Sequence, residues 1–170
     1  MVSEKKALIG VLMGSTSDFD VMKGCTDLLD SMDIPYEVKV LSAHRTPGQA
    51  RDYVSTAMDR GIDVIIAGAG WAAHLAGFVA AHTTLPVIGI PIDSSPLNGM
   101  DALFSTVQMP PGIPVATVSV GKGGAKNAAV LAAEILALKH PAISDTLRRY
   151  RADLTTAASE KIDSWPGFNQ

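Results

Sequence analysis

Apolar and polar positions along the chain repeat one event. A short run of β-branched and aliphatic residues leads into a turn of small residues, and a segment follows whose apolar positions return every three or four residues. Ala7 to Gly14 (ALIGVLMG) is the first run, and Phe19, Met22, Cys25, Leu28, Leu29 and Met32 mark the apolar face of the helix after it. Ser17 is its expected N-cap, with Asp20 three residues on. The second run is YEVKVL, followed by a helix capped by Thr46, with Pro47 at the first helical position, Gln49 completing a capping box and Gly61 as the stop. The runs VIIAG, VIGIP and VATVSV are apolar at successive positions, as strands covered on both faces should be. Helices are expected from about Ala72, from about Met100 and from Ala125 to Leu138. A last helix, roughly Ala142 to Ile162, carries the charged LRRYRADL stretch and has no strand after it.

Strands alternating with helices imply right-handed crossovers. The expected fold is therefore three-layer α/β/α, a doubly wound parallel sheet of the flavodoxin-like kind with an extra C-terminal helix. In such sheets ligands bind beyond the carboxyl ends of the strands, where the turns read GSTSD, SAHRT, GAGWAAH, PIDSSPLNG and VGKGGAKN. If the first and third strands flank the switch point, with the second beside the first, the first three turns converge.

Composition narrows the chemistry. A length of 170 residues fits a single domain over 1–170, with its core at about 7–139. Lys and Arg total 14 against 17 acidic residues, and no basic block supplies the phosphate contacts of a nucleic-acid binder. One cysteine, Cys25, excludes an intramolecular disulfide framework, and no signal peptide or apolar run long enough to span a bilayer is visible. A soluble, cytoplasmic protein is expected. Aromatic residues are only 5%, while Ala, Gly and Val abound, which favours close packing of helices on a sheet.

Each turn has a structural reading beside its functional one. Ser15, Ser17 and Asp18 fit a helix cap; they equally fit an anion site, with N–H groups and hydroxyls for phosphate and a carboxylate for ribose hydroxyls. Neither a Walker loop nor a dinucleotide fingerprint is present. His44 stands beside Arg45, a forked cation suited to phosphate next to a group that moves protons near neutral pH. His74 lies in a second turn of small residues, where glycines let backbone approach a ligand. His82, near a helix end, and His140, before Pro141, read as structural, and Cys25 as a core thiol. The histidines lack metal-ligand spacing, so no metal is expected.

The runs MGSTSD, SAHRTP, IIAGAG, AAHL, LNGMDAL, GIPVATV and AKNAA, in this order between about Leu8 and Leu138, resemble the N5-carboxyaminoimidazole ribonucleotide mutase family, bacterial-type enzymes of purine biosynthesis. The resemblance implies an isomerase that uses no cofactor and passes through trapped carbon dioxide. It also implies a homo-octamer whose C-terminal helix, about 142–162, packs on a neighbouring subunit. By matching position it assigns proton transfer to His44, with His74 as a second catalytic candidate. Ser15, Ser17, Asp18, Ser42 and Arg45 would hold phosphate and ribose, with Ala43 and Leu75 beside them. Gly68, Ala69, Gly70, Ala72 and Ala73 would line the base and carbon dioxide pocket with His74.

Two residues depart from the family pattern: Trp71 stands where a glycine is usual, and Ala76 where a proline is. The indole either closes the pocket in place of some other side chain or lies outward against a neighbouring subunit; the second is expected, because the small residues around it preserve the pocket. Two alternatives remain at this point. One is the related carboxylase acting on free carbon dioxide, whose members tend to carry SAHKT and to lack the AAHL histidine; Arg45 and His74 argue against it. The other is a non-catalytic nucleotide-binding protein on the same scaffold, which would need neither histidine.

Overall fold

The computed structural model describes residues 6–164. Five parallel strands, β1 (Ile9–Met13), β2 (Tyr36–Val40), β3 (Val64–Gly70), β4 (Val87–Ile92) and β5 (Ala116–Thr117), form one sheet in the order β2-β1-β3-β4-β5. The order reverses between β1 and β3, whose register pairs Ile9 with Val64 and Met13 with Gly68. The turns after β1, β2 and β3 thus open on the same edge, as the alternation of strands and helices implies.

The two faces of the sheet carry separate apolar clusters. Ile9, Val11 and Met13 of β1, with Val64 and Ile66 of β3, pack under α1 (Phe19–Ser31) and α6 (Gly121–Ala137), through Met22, Cys25, Leu29 and an alanine stripe that includes Ala125, Ala129 and Ala132. Alanines let α6 approach the sheet closely. On the other face Leu12, Ile65 and Ala67 meet α2 (Pro47–Ser55), α3 (Ala57–Arg60) and α4 (Leu75–Ala80), through Ala50, Val54, Leu75 and Val79. α5 (Met100–Val107) packs chiefly on β4. Cys25 is fully buried, and burial pushes its thiol pKa up to about 12, which keeps it an unreactive core residue.

Several expected details change. The cap of the first helical segment is Ser15, not Ser17: its hydroxyl accepts from Ser17 N–H, and Asp18 accepts from Ser15 N–H, closing a capping box over a 3₁₀ turn, Thr16–Asp18, ahead of α1. Thr46 makes no cap bond and forms no box with Gln49, because its hydroxyl is tied to the backbone of Ser42. The helix expected from Pro47 to Gly61 is interrupted at Thr56, whose hydroxyl donates to the carbonyls of Asp52 and Tyr53; Gly61 remains the stop in a left-handed conformation. α4 starts at Leu75 rather than Ala72, and α6 at Gly121 rather than Ala125. The fifth strand shrinks to two paired residues at the sheet edge and is not covered on both faces.

The last helix, α7 (Pro141–Asp163), divides into two parts. Leu147 is buried, and Ile143 and Tyr150 pack partly against the α6 cluster, whereas residues 151–162 are all exposed. Among the described residues no helix is long and apolar enough to cross a membrane.

Candidate active site

The strand ends at the switch point deliver their side chains into one cavity of about 560 Å³. From the turn after β1 come Gly14, Ser15, Ser17 and Asp18; from that after β2, Ser42, Ala43, His44 and Arg45; from that after β3, Ala69, Gly70, Trp71, Ala72, His74 and Leu75. Ser94, after β4, completes the lining.

At its centre two imidazoles meet. His44 Nε2 lies 2.6 Å from His74 Nδ1, with the rings edge to face at 77°. A hydrogen bond between facing ring nitrogens holds one proton, so one ring donates and the other accepts. The residues sit 30 positions apart in sequence and are brought together across β1, which separates β2 from β3.

Arg45 is held by the same framework. Its guanidinium Nη2 donates to the Gly14 carbonyl at 2.9 Å, tying the second turn to the first, and the Ser42 hydroxyl accepts from Arg45 N–H at 3.1 Å. Asp18 is only 5% exposed, and its Oδ2 accepts from Ser15 N–H at 3.0 Å. Burial raises its pKa above the usual aspartate value, against the opposing pull of that bond and of the Arg45 charge.

Not every residue expected in the lining is there. Gly68 is a paired strand residue whose missing side chain makes room for Met22: a Cβ would sit 2.2 Å from the Met22 sulfur. Ala73 is 1% exposed and faces inward to the core. Trp71 is the reverse case. It was expected to turn away from the pocket, yet it lines the cavity while remaining 59% exposed. Its φ is +54°, the left-handed region, which costs a residue with a Cβ roughly 1–2 kcal/mol. A glycine would hold this backbone without that penalty. Ser94 was not among the expected site residues, although its turn was marked by position. It reaches the cavity because Gly70 lacks a side chain: a Cβ there would meet Ser94 Oγ at 1.9 Å.

The other two histidines lie away from the cavity. His82 Nδ1 bonds the Phe78 carbonyl at 2.7 Å and its ring packs on Phe78, while His140 stands at the N-cap position of α7, its buried Nε2 3.7 Å from Asp63 and without a hydrogen bond among the described residues.

Comparison with known proteins agrees with this geometry. The model of the AIR carboxylase family matches residues 8–157. The N5-carboxyaminoimidazole ribonucleotide mutase of Pyrococcus abyssi is 56% identical over 91% of this chain and 87% of its own. The enzymes of that name from Pseudomonas aeruginosa and Bacillus subtilis are each 54% identical over 92% of this chain and 96% of theirs. The crystal structure of Treponema denticola PurE superposes with a TM-score of 0.83 at 30% identity, covering 94% of this chain and 99% of that one. With the family match spanning all five strands and relatives more than half identical across most of its length, the chain belongs to the AIR carboxylase family.

Proposed function

We propose that the chain is an N5-carboxyaminoimidazole ribonucleotide mutase of purine biosynthesis, an isomerase that moves a carboxyl group from the exocyclic nitrogen of an aminoimidazole ribonucleotide to ring carbon C4. The observation that carries the reading is the His44–His74 pair, 2.6 Å apart in the cavity that also holds Arg45 and the capped Ser15–Asp18 turn. A ribonucleotide presents a phosphate, a ribose and a base, and the cavity offers a cation, a carboxylate and a proton donor.

Arg45 binds the phosphate. Its contacts to Gly14 and Ser42 fix the guanidinium while leaving further N–H donors for an anion. Ser15 and Ser17 supply hydroxyls, and Asp18 accepts from ribose. His44 then protonates the carbamate nitrogen, the N–C bond breaks, and carbon dioxide stays in the cavity. The ring's electron pair, pushed from the exocyclic nitrogen to C4, attacks the carbon dioxide and forms the C–C bond. Neutral His44 removes the C4 proton, so the imidazole ends as it began. His74 holds His44 Nε2 in a hydrogen bond and so fixes which ring nitrogen of His44 is left to exchange a proton with the substrate.

The test compares products from two starting mixtures. Freshly made carbamate substrate should turn over fast, and aminoimidazole ribonucleotide with low bicarbonate slowly. Comparable efficiency in the second mixture would instead assign the carboxylase that uses free carbon dioxide.

The chain works in the cytoplasm as a homo-octamer, with the outer half of α7 packed on a neighbour. Residues 151–162 are exposed on the single chain, Leu154 and Ile162 among them, which supports this reading. Removing 151–170 spares Leu147 and Tyr150 and should lower the number of chains per particle measured by light scattering. An unchanged number of chains per particle would refute it.

A further inference from the structure

We propose that Trp71 is the cover of this site: its indole packs on the face of the substrate's aminoimidazole ring and closes the cavity over the released carbon dioxide. The proposal rests on the mutase reading and adds a residue which that reading does not use.

Around Trp71 the lining is made of small residues, Ala69, Gly70, Ala72 and Ser94. They leave space and supply little apolar surface to a planar ring. Among the described residues the indole is the one large aromatic group at the cavity, and at 59% exposure most of its surface is uncovered. An apolar face so placed is positioned to pack on what enters the cavity. The backbone holds it there in a left-handed conformation, φ +54°, which a side chain adopts only where its surroundings enforce it. Both the imidazoles of His44 and His74 and the indole border the same space. A ligand ring within reach of His44 therefore lies within reach of Trp71. Carbon dioxide, small and neutral, is kept better behind an indole than behind open water, where it escapes or hydrates.

Three proteins test this: the wild type, Trp71→Phe and Trp71→Gly. Calorimetry with aminoimidazole ribonucleotide and with ribose 5-phosphate separates ring from phosphoribosyl binding. Trp71→Gly should bind aminoimidazole ribonucleotide about tenfold or more weakly, leave ribose 5-phosphate affinity unchanged, and be largely rescued in Trp71→Phe. In turnover of the carbamate substrate, corrected for its uncatalysed loss, Trp71→Gly should release a larger share as aminoimidazole ribonucleotide and carbon dioxide. The wild type's tryptophan fluorescence should respond to aminoimidazole ribonucleotide, and that response should vanish in Trp71→Phe although Trp165 remains. Wild-type affinity and wild-type product partition in a folded Trp71→Gly would overturn the cover, as would equal weakening of both ligands. If the wild type itself binds no aminoimidazole ribonucleotide, the mutase reading fails and the cover with it. Binding by the wild type with no change in Trp71→Gly fails the cover alone.

Discussion

The four histidines divide into two pairs that differ in what they face. His82 and His140 face the scaffold: one bonds the carbonyl a turn back and packs on the ring of Phe78, the other stands at the cap position of α7 beside Asp63, its Nε2 buried without a hydrogen bond among the described residues. Among the described residues His44 and His74 bond only each other, on two loops that meet over the end of β1. An imidazole that faces packed scaffold meets no ligand, whereas a pair that borders a cavity meets whatever enters it. What a histidine faces, more than its exposure, separates the two pairs.

Removing the titrating group at His44 breaks the comparison most strongly. His44→Asn should lower turnover of the carbamate substrate about a hundredfold or more while aminoimidazole ribonucleotide still binds, as calorimetry would show. Near-native turnover would move the proton transfer to His74. His74→Asn should cost roughly tenfold or more in turnover and displace the pH profile, since His44 loses the ring that fixes its proton. Arg45→Ala should act on affinity instead, weakening nucleotide binding by about tenfold or more with a smaller change in turnover at saturation.

Asp18 sharpens the contrast, because it serves both cap and cavity. Its folded pKa lies above the ordinary aspartate value, so the native chain holds the proton more tightly than the unfolded one. The stability this gives is present below the ordinary value and is lost as pH rises through the raised pKa. Asp18→Asn, which still accepts from Ser15 N–H, should therefore gain in melting temperature relative to wild type as pH is raised from about 3 to 7, while binding ribonucleotide more weakly. The smallest effect is expected at a scaffold histidine. His82→Ala should leave turnover unchanged and lower unfolding free energy by about 1 kcal/mol in denaturant titration.

Much of this architecture is legible in the sequence, and its failures have physical causes. Continuous apolar runs mark β1, β3 and β4 correctly because both faces of those strands are buried. The same signal misleads at VATVSV, where Val118 packs partly on the core from outside the ladder and only Ala116 and Thr117 pair. At the first turn two serines each have an aspartate three residues on, and the cap falls to Ser15 because its backbone is extended while Ser17 lies inside the 3₁₀ turn. The convergence of His44, Arg45 and His74 follows from the strand order β2-β1-β3, which alternation of elements allows and the structure supplies. Ser94 and Trp71 do not follow from it. Their places depend on a Cβ that Gly70 lacks and on a left-handed backbone at Trp71, features that no periodicity encodes.

The contact between Gly70 and Ser94 also bears on how this chain can be engineered. Surface loops are ordinarily the places that accept tags, insertions and new termini most readily. Here the turns beyond β3 and β4 interlock with no room for one methyl group, so an inserted segment on that edge would pry the cavity open. The segment before β5, on the opposite edge, has room: a Cβ on Gly112 meets nothing within 4 Å. Pro110, Pro111 and Gly112, exposed on the approach to β5, offer the place to attach a label or a surface anchor while the reacting edge stays closed.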